Sequence, residues 1–187
     1  MKKKAVSILL SVLLVFSGGG SALAEETSES RNMRALLKFF FAEYFVQEDS
    51  GTAENPVTGG FLEKREKAAE LVNRERAASG LSPLKHDSTL ASLAQLKAED
   101  MAKNRYFSHT SPVYGSAFDM MQNAGISYRS AGENIARGQK TAEAVMKGWM
   151  NSPDHRSNIL GSGYTKMGIG FAAGSEGTPY WVQIFAG

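Results

Sequence analysis

Apolar and polar residues alternate along this chain with periods that change from one segment to the next. Ala5 to Phe16 is an almost unbroken apolar run behind Lys2-Lys3-Lys4. Over 31–46 the residues Met33, Leu36, Leu37, Phe40, Phe41, Tyr44 and Phe45 recur at three and four, with Arg31, Arg34 and Lys38 off the stripe. That spacing predicts an amphipathic helix. A further helix is predicted from about Phe61 to Ser79, with Leu62, Ala69 and Val72 inward, Gly80 ending it and Pro83 following. Leu90, Leu93, Ala94, Ala98 and Met101 mark the next, capped by Asp87 or Ser88. Turn formers fill 104–116, and a short helix over about 117–124 stops at Gly125. Thr141 is suited to cap a helix carrying Ala144, Val145, Gly148 and Trp149. Ser152-Pro153 opens the last helix, with a hydroxyl at the cap and proline in the first turn. The period then drops to two. Met167, Ile169 and Phe171 alternate with Lys166, Gly168 and Gly170, and a Gly174–Gly177 turn leads to 180–185. These two runs predict an antiparallel hairpin. Helices first and strands last indicate an α+β domain whose helices pack on an antiparallel sheet.

The ends of the first run change how the rest is read. Three lysines, an apolar stretch, Gly18-Gly19-Gly20 and the small-residue pattern Ala22-Leu23-Ala24 follow the order of a secretory signal peptide. Cleavage is expected after Ala24, giving 1–24 as leader, 25–60 as an extension with the 31–46 helix and a linker, and 61–187 as the main domain. The alternative, an uncleaved anchor, needs a longer apolar run than this glycine-broken one. The stripe at 31–46 has two readings. It packs on the domain, or it meets a membrane surface or protein partner.

The formal charge of +2 rests on 21 basic and 19 acidic residues, and removing the three leader lysines leaves 18 against 19. Nucleic-acid binding by bulk charge is therefore not expected. The chain has no cysteine, which excludes a disulfide framework, a thiol nucleophile and cysteine-ligated metal. The expected product is secreted, extracellular or associated with the cell envelope.

Candidate chemistry centres on three histidines. His86 lies in a polar loop without an evident partner. His109 stands in Tyr106-Phe107-Ser108-His109-Thr110, where an imidazole can turn into a cleft. His155 is third in its helix, where the positive end of the dipole disfavours imidazolium. Glu133 stands in Gly132-Glu133-Asn134-Ile135-Ala136. A lone glutamate there is a structural acceptor. Two imidazoles converging on it would make a hydrolytic zinc site with a water position. Motifs for metalloprotease, serine hydrolase, phosphate-loop and calcium-loop chemistry are missing.

Taken together in order, several segments resemble the CAP superfamily of cysteine-rich secretory, antigen 5 and pathogenesis-related-1 proteins, in its bacterial SCP-domain branch. They are Leu71-Val72-Asn73 with Arg76 and Leu84, Phe107-Ser108-His109, Gly132-Glu133-Asn134-Ile135-Ala136, Trp149 through Leu160, and Trp181-Val182-Gln183-Ile184-Phe185. The resemblance spans about 65–186. It implies a three-layer α-β-α sandwich with a central antiparallel sheet and one large cleft. It also implies that His109, Glu133 and His155 line this cleft, with Tyr180 at the position of a second cleft histidine in eukaryotic members. Divalent metal such as zinc, held by His109 and His155, is an expectation of the same kind. Three function classes follow. The first is a protein whose cleft binds a lipid, peptide or cell-wall component. The second is a zinc-dependent hydrolase with Glu133 as ligand or base. The third is an envelope adaptor held through 31–46.

Overall fold

The structure is a computed structural model that describes the backbone of residues 56–187 and side chains from Gly60 onward. The leader, the helix expected over 31–46 and the linker as far as residue 55 lie outside the described residues.

Helix α1 spans Pro56–Ala78 and so begins five residues before Phe61. The residues 56–60, expected as linker, form its first turn, with proline at the start, where its missing N–H costs no bond. The helix ends in a Schellman motif. Gly80 takes φ +71, the Leu81 N–H donates to the Arg76 carbonyl at 2.9 Å, and the Gly80 N–H donates to the Ala77 carbonyl at 3.0 Å. Helix α2, Ser88–Asn104, is capped by the Asp87 carboxylate, which accepts from the Leu90 N–H. Helix α3, Ala117–Asn123, carries a full capping box between Ser116 and Asp119. Helix α4, Ala142–Met150, is capped by Thr141, whose side chain accepts from the Ala144 N–H. Helix α5, Pro153–Ile159, has Ser152 at its N-cap, but the hydroxyl makes no capping bond. The proline there removes one of the donors a cap would satisfy.

Four strands form one sheet: β1 (Lys85–His86), β2 (Ala131–Arg137), β3 (Lys166–Ala173) and β4 (Pro179–Ala186), in the order β1-β3-β4-β2. The β3–β4 and β2–β4 pairs are antiparallel. The β1–β3 pair is parallel, so the sheet is mixed where a purely antiparallel one was expected. The Lys85-His86 loop of the sequence reading is this short strand. A long crossover through α2 to β2 separates β1 from β3, which is the connection a parallel pair needs.

Every residue of β4 is buried, and its alternation divides the core. Tyr180, Val182 and Ile184 pack with Leu90, Leu93 and Met101 of α2 and with α3. Trp181 and Phe185 pack on the other face with Val72, Val145, Trp149 and Ile159 from α1, α4 and α5. The result is a three-layer α-β-α sandwich. On β3 the glycine face is as closed as the apolar face, because Gly168 and Gly170 lie directly against the α2 backbone.

Candidate functional site

Strand β2 is a sheet edge, and edges leave outward backbone groups without strand partners. Here side chains cover them. The Tyr164 hydroxyl donates to the Ala131 carbonyl at 3.3 Å, Asn158 Nδ2 to the Glu133 carbonyl at 3.1 Å, and Trp149 Nε1 to the Ile135 carbonyl at 3.4 Å. Asn134 Nδ2 donates to the His155 carbonyl at 3.1 Å, so α5 is tied to β2 beside Glu133.

Glu133 itself is buried, with its side chain 4% exposed. Its Oε2 lies 2.6 Å from His109 Nδ1, and its Oε1 lies 3.8 Å from the ammonium of Lys97, whose side chain is completely buried. Lys97 comes from the inward face of α2 and also donates to the His109 carbonyl. Burial pushes the Glu133 carboxyl up from the usual carboxylate range, while the Lys97 and His109 charges pull it back. Burial likewise lowers the Lys97 ammonium, against the pull of Glu133 and Asp100.

The loop that presents His109 is anchored one turn further along α2. Asp100, 6% exposed, accepts from Asn104 Nδ2 and the Ser111 hydroxyl, both at 2.6 Å, and from the Tyr106 hydroxyl. Burial and the Asp100 bond push the Tyr106 hydroxyl well above the usual phenol range, so it stays a donor. Ser111 in turn accepts from the Val113 and Tyr114 N–H groups at 2.9 Å each, and its backbone bridges to Gly115. The loop is thereby held at both ends. The His109 side chain remains 60% exposed.

His155 reaches the same region from the other helical layer. Its pKa lies below the usual histidine value, first through burial and second through the charge of His109, with Asp154 opposing. The direction agrees with the sequence reading. The cause differs, since desolvation leads.

Acid should therefore destabilise the fold through His155. Above pH 6.5 the ring is neutral folded and unfolded. Between 6.5 and the lowered folded value only the unfolded chain takes up the proton, so stability falls as pH falls. We expect the parent to lose stability below pH 6.5 more steeply than His155→Gln, by at most about 1.4 kcal/mol per pH unit. Urea unfolding of both proteins between pH 5 and 8 measures the difference, and parallel curves would remove His155 as the cause.

Of the four cleft residues named from sequence, the structure brings His109 into contact with Glu133 and sets His155 within reach of His109's charge. Tyr180 is elsewhere. It is 3% exposed in the α2 core, with Arg137 5.4 Å above its ring. Glu133 pairs with Ile184, four residues further along β4, about 13 Å from Tyr180 at the usual strand rise. His86 is exposed on β1. Lys97 and Asp100 were missed, although a signal existed: Lys97 falls on the apolar stripe between Ala94 and Met101, where a lysine needs a partner. Among the described residues no three His, Asp or Glu side chains converge as a metal-ligand set.

The sandwich and its His109–Glu133 pair point to a class, and the sequence comparison agrees with it. The chain belongs to the cysteine-rich secretory protein (CAP) family, whose profile matches residues 69–185. It is 48% identical over 142 residues to YkwD of Bacillus subtilis, an alignment covering 76% of this chain and 53% of the relative. It is 41% identical over 101 residues to the membrane protein YlbC of the same organism, covering 54% of this chain and 29% of that one. The chain thus spans about half the length of the first and less than a third of the second. Among solved structures it is similar to an extracellular SCP-domain protein of Bacillus anthracis, at 30% identity and TM-score 0.64, covering 73% of this chain and 45% of that one. A cysteine-rich secretory protein of Staphylococcus aureus matches at 27% identity and TM-score 0.54, covering 66% and 38%.

Proposed function

We propose that this chain is an exported protein of the cell envelope or its surroundings whose His109–Glu133–His155 cleft binds a ligand without turning it over. The observation that carries the reading is the pairing of a half-exposed imidazole with a buried carboxylate on a rigid strand. Such an arrangement offers a fixed ring nitrogen to a ligand at little entropic cost. The Ser111 hydroxyl is committed to Asp100, and among the described residues no serine hydroxyl is bonded to His109. Export is supported by the leader pattern at 1–24, and no helix among the described residues is long and apolar enough to cross a membrane. The ligand classes suited to an envelope protein are a lipid, a peptide or a cell-wall component.

Thermal unfolding of the protein with muropeptides, phospholipid vesicles and a mixed peptide pool tests this. One class should raise the melting temperature of the parent, by the equivalent of about 2.7 kcal/mol at a hundred times Kd. The shift should vanish in His109→Ala, and mass spectrometry should find the ligand unchanged. No shift with any class overturns the binding reading. Cleavage that disappears in Glu133→Gln replaces it with a hydrolase.

A further inference from the structure

A divalent metal is what the family resemblance implies for this cleft, and Glu133 is the residue that would complete its shell. The surroundings of that carboxylate do not fit the role. Its Oε2 and His109 Nδ1 lie 2.6 Å apart, which leaves no room for an ion between them, since zinc needs about 2 Å to each ligand atom. Its Oε1 is buried and makes no hydrogen bond, and it faces the Lys97 ammonium at 3.8 Å. Lys97 cannot swing out to make way. Its side chain has no exposure, and its Nζ is also bonded to the His109 carbonyl.

We propose that the Lys97 ammonium is the resident cation of this cleft: it neutralises Glu133 and holds the His109 loop from within, so that Glu133 positions His109 and is not a metal ligand. A cation fixed in the core does for the carboxylate what a bound ion does elsewhere, balancing a charge that burial would otherwise penalise. A divalent ion on Glu133 would have to share the carboxylate with a positive charge that cannot leave, in surroundings of low dielectric. The inference holds whatever the cleft binds, because it concerns the charge balance beneath the exposed ring.

Zinc titration by calorimetry tests it on the parent, Glu133→Gln and Lys97→Met, with folding of each checked by circular dichroism. Glu133→Gln serves as the baseline for the double variant, because removing a carboxylate that orients a histidine can itself weaken a metal site by about tenfold or more. Lys97→Met frees the carboxylate and removes the repulsion, so zinc affinity should rise by about tenfold or more. The gain should disappear in the Lys97→Met, Glu133→Gln double variant. A folded Lys97→Met protein with no gain overturns the proposal, as does a gain that survives in the double variant. Should Lys97→Met fail to fold, Lys97→Gln, which keeps a donor for the His109 carbonyl, takes its place with the same expected gain.

Discussion

Gly170→Ala is expected to cost about 3 kcal/mol or more and to lower the melting temperature by about 10 °C or more. The reason is the approach of α2 to β3. A Cβ built at Gly170 would lie 2.2 Å from the Ala94 carbonyl carbon and oxygen and 2.4 Å from the Gln95 N–H nitrogen. These are backbone atoms of a helix, which no side-chain rotation can move aside. The helix is also pinned at that level. Gln95 Nε2 donates to the Phe171 carbonyl at 2.9 Å while Gln95 Oε1 accepts from the Phe171 N–H at 3.0 Å. A methyl at 170 must break this amide pair or part the helix from the sheet. Gly148→Ala in α4 is the control, because a Cβ there meets nothing nearer than 4.0 Å. It should stabilise by about 0.5–1 kcal/mol through helix propensity. Urea unfolding of both variants beside the parent gives the comparison, and a Gly170→Ala loss under about 1 kcal/mol would mean that α2 can lift off β3 cheaply.

The second large effect is expected at Arg76. Its side chain is 1% exposed, and it meets carbonyls rather than a carboxylate. Nε donates to Ser82 at 2.9 Å, and Nη1 donates to Ile159 and Gly161 at 2.8 Å each. One guanidinium thereby joins the end of α1, the loop after it and the C-terminal end of α5. The last of these favours a cation, since the unpaired carbonyls there carry the negative end of the helix dipole. Burial lowers the Arg76 pKa, yet a guanidinium starts so high that it stays charged. Arg76→Met should cost about 3–5 kcal/mol, because three carbonyls lose their donor together. Arg76→Lys should recover only part of that, since one ammonium cannot reproduce the fork. Full recovery by lysine would show that charge alone matters. Because α5 carries His155, the amides of 153–160 should also exchange faster with solvent in Arg76→Met.

Local signals were the most legible part of the chain. Asp87 and Thr141 announce helix starts, and Gly80 announces a stop, because each effect acts within three or four residues. The alternation over 166–171, the Gly174–Gly177 turn and the run at 180–185 pointed to the antiparallel hairpin that β3 and β4 form. The ordered motifs pointed to the CAP fold, and His109 with Glu133 followed from them. What misled was also local in origin. Pro56 read as a linker residue when it opens α1, and Lys85-His86 read as loop when they pair with β3. Two residues carry too little pattern to announce a strand whose partner lies eighty positions away.

By itself, the sequence determined the main helices, the closing hairpin and the family, and it singled out His109, Glu133 and His155 as candidates. Those depend on periodicity, capping and motif, which are properties of neighbours in the chain. Only the tertiary structure decided which charges face each other. It put Lys97 beneath Glu133, turned Asp100 to the His109 loop, sent Arg76 across to the end of α5 and left Tyr180 in the core. Each of these depends on residues far apart in sequence meeting where water is excluded, and the pairing energy of a charge is set by that meeting rather than by the residues beside it in the chain.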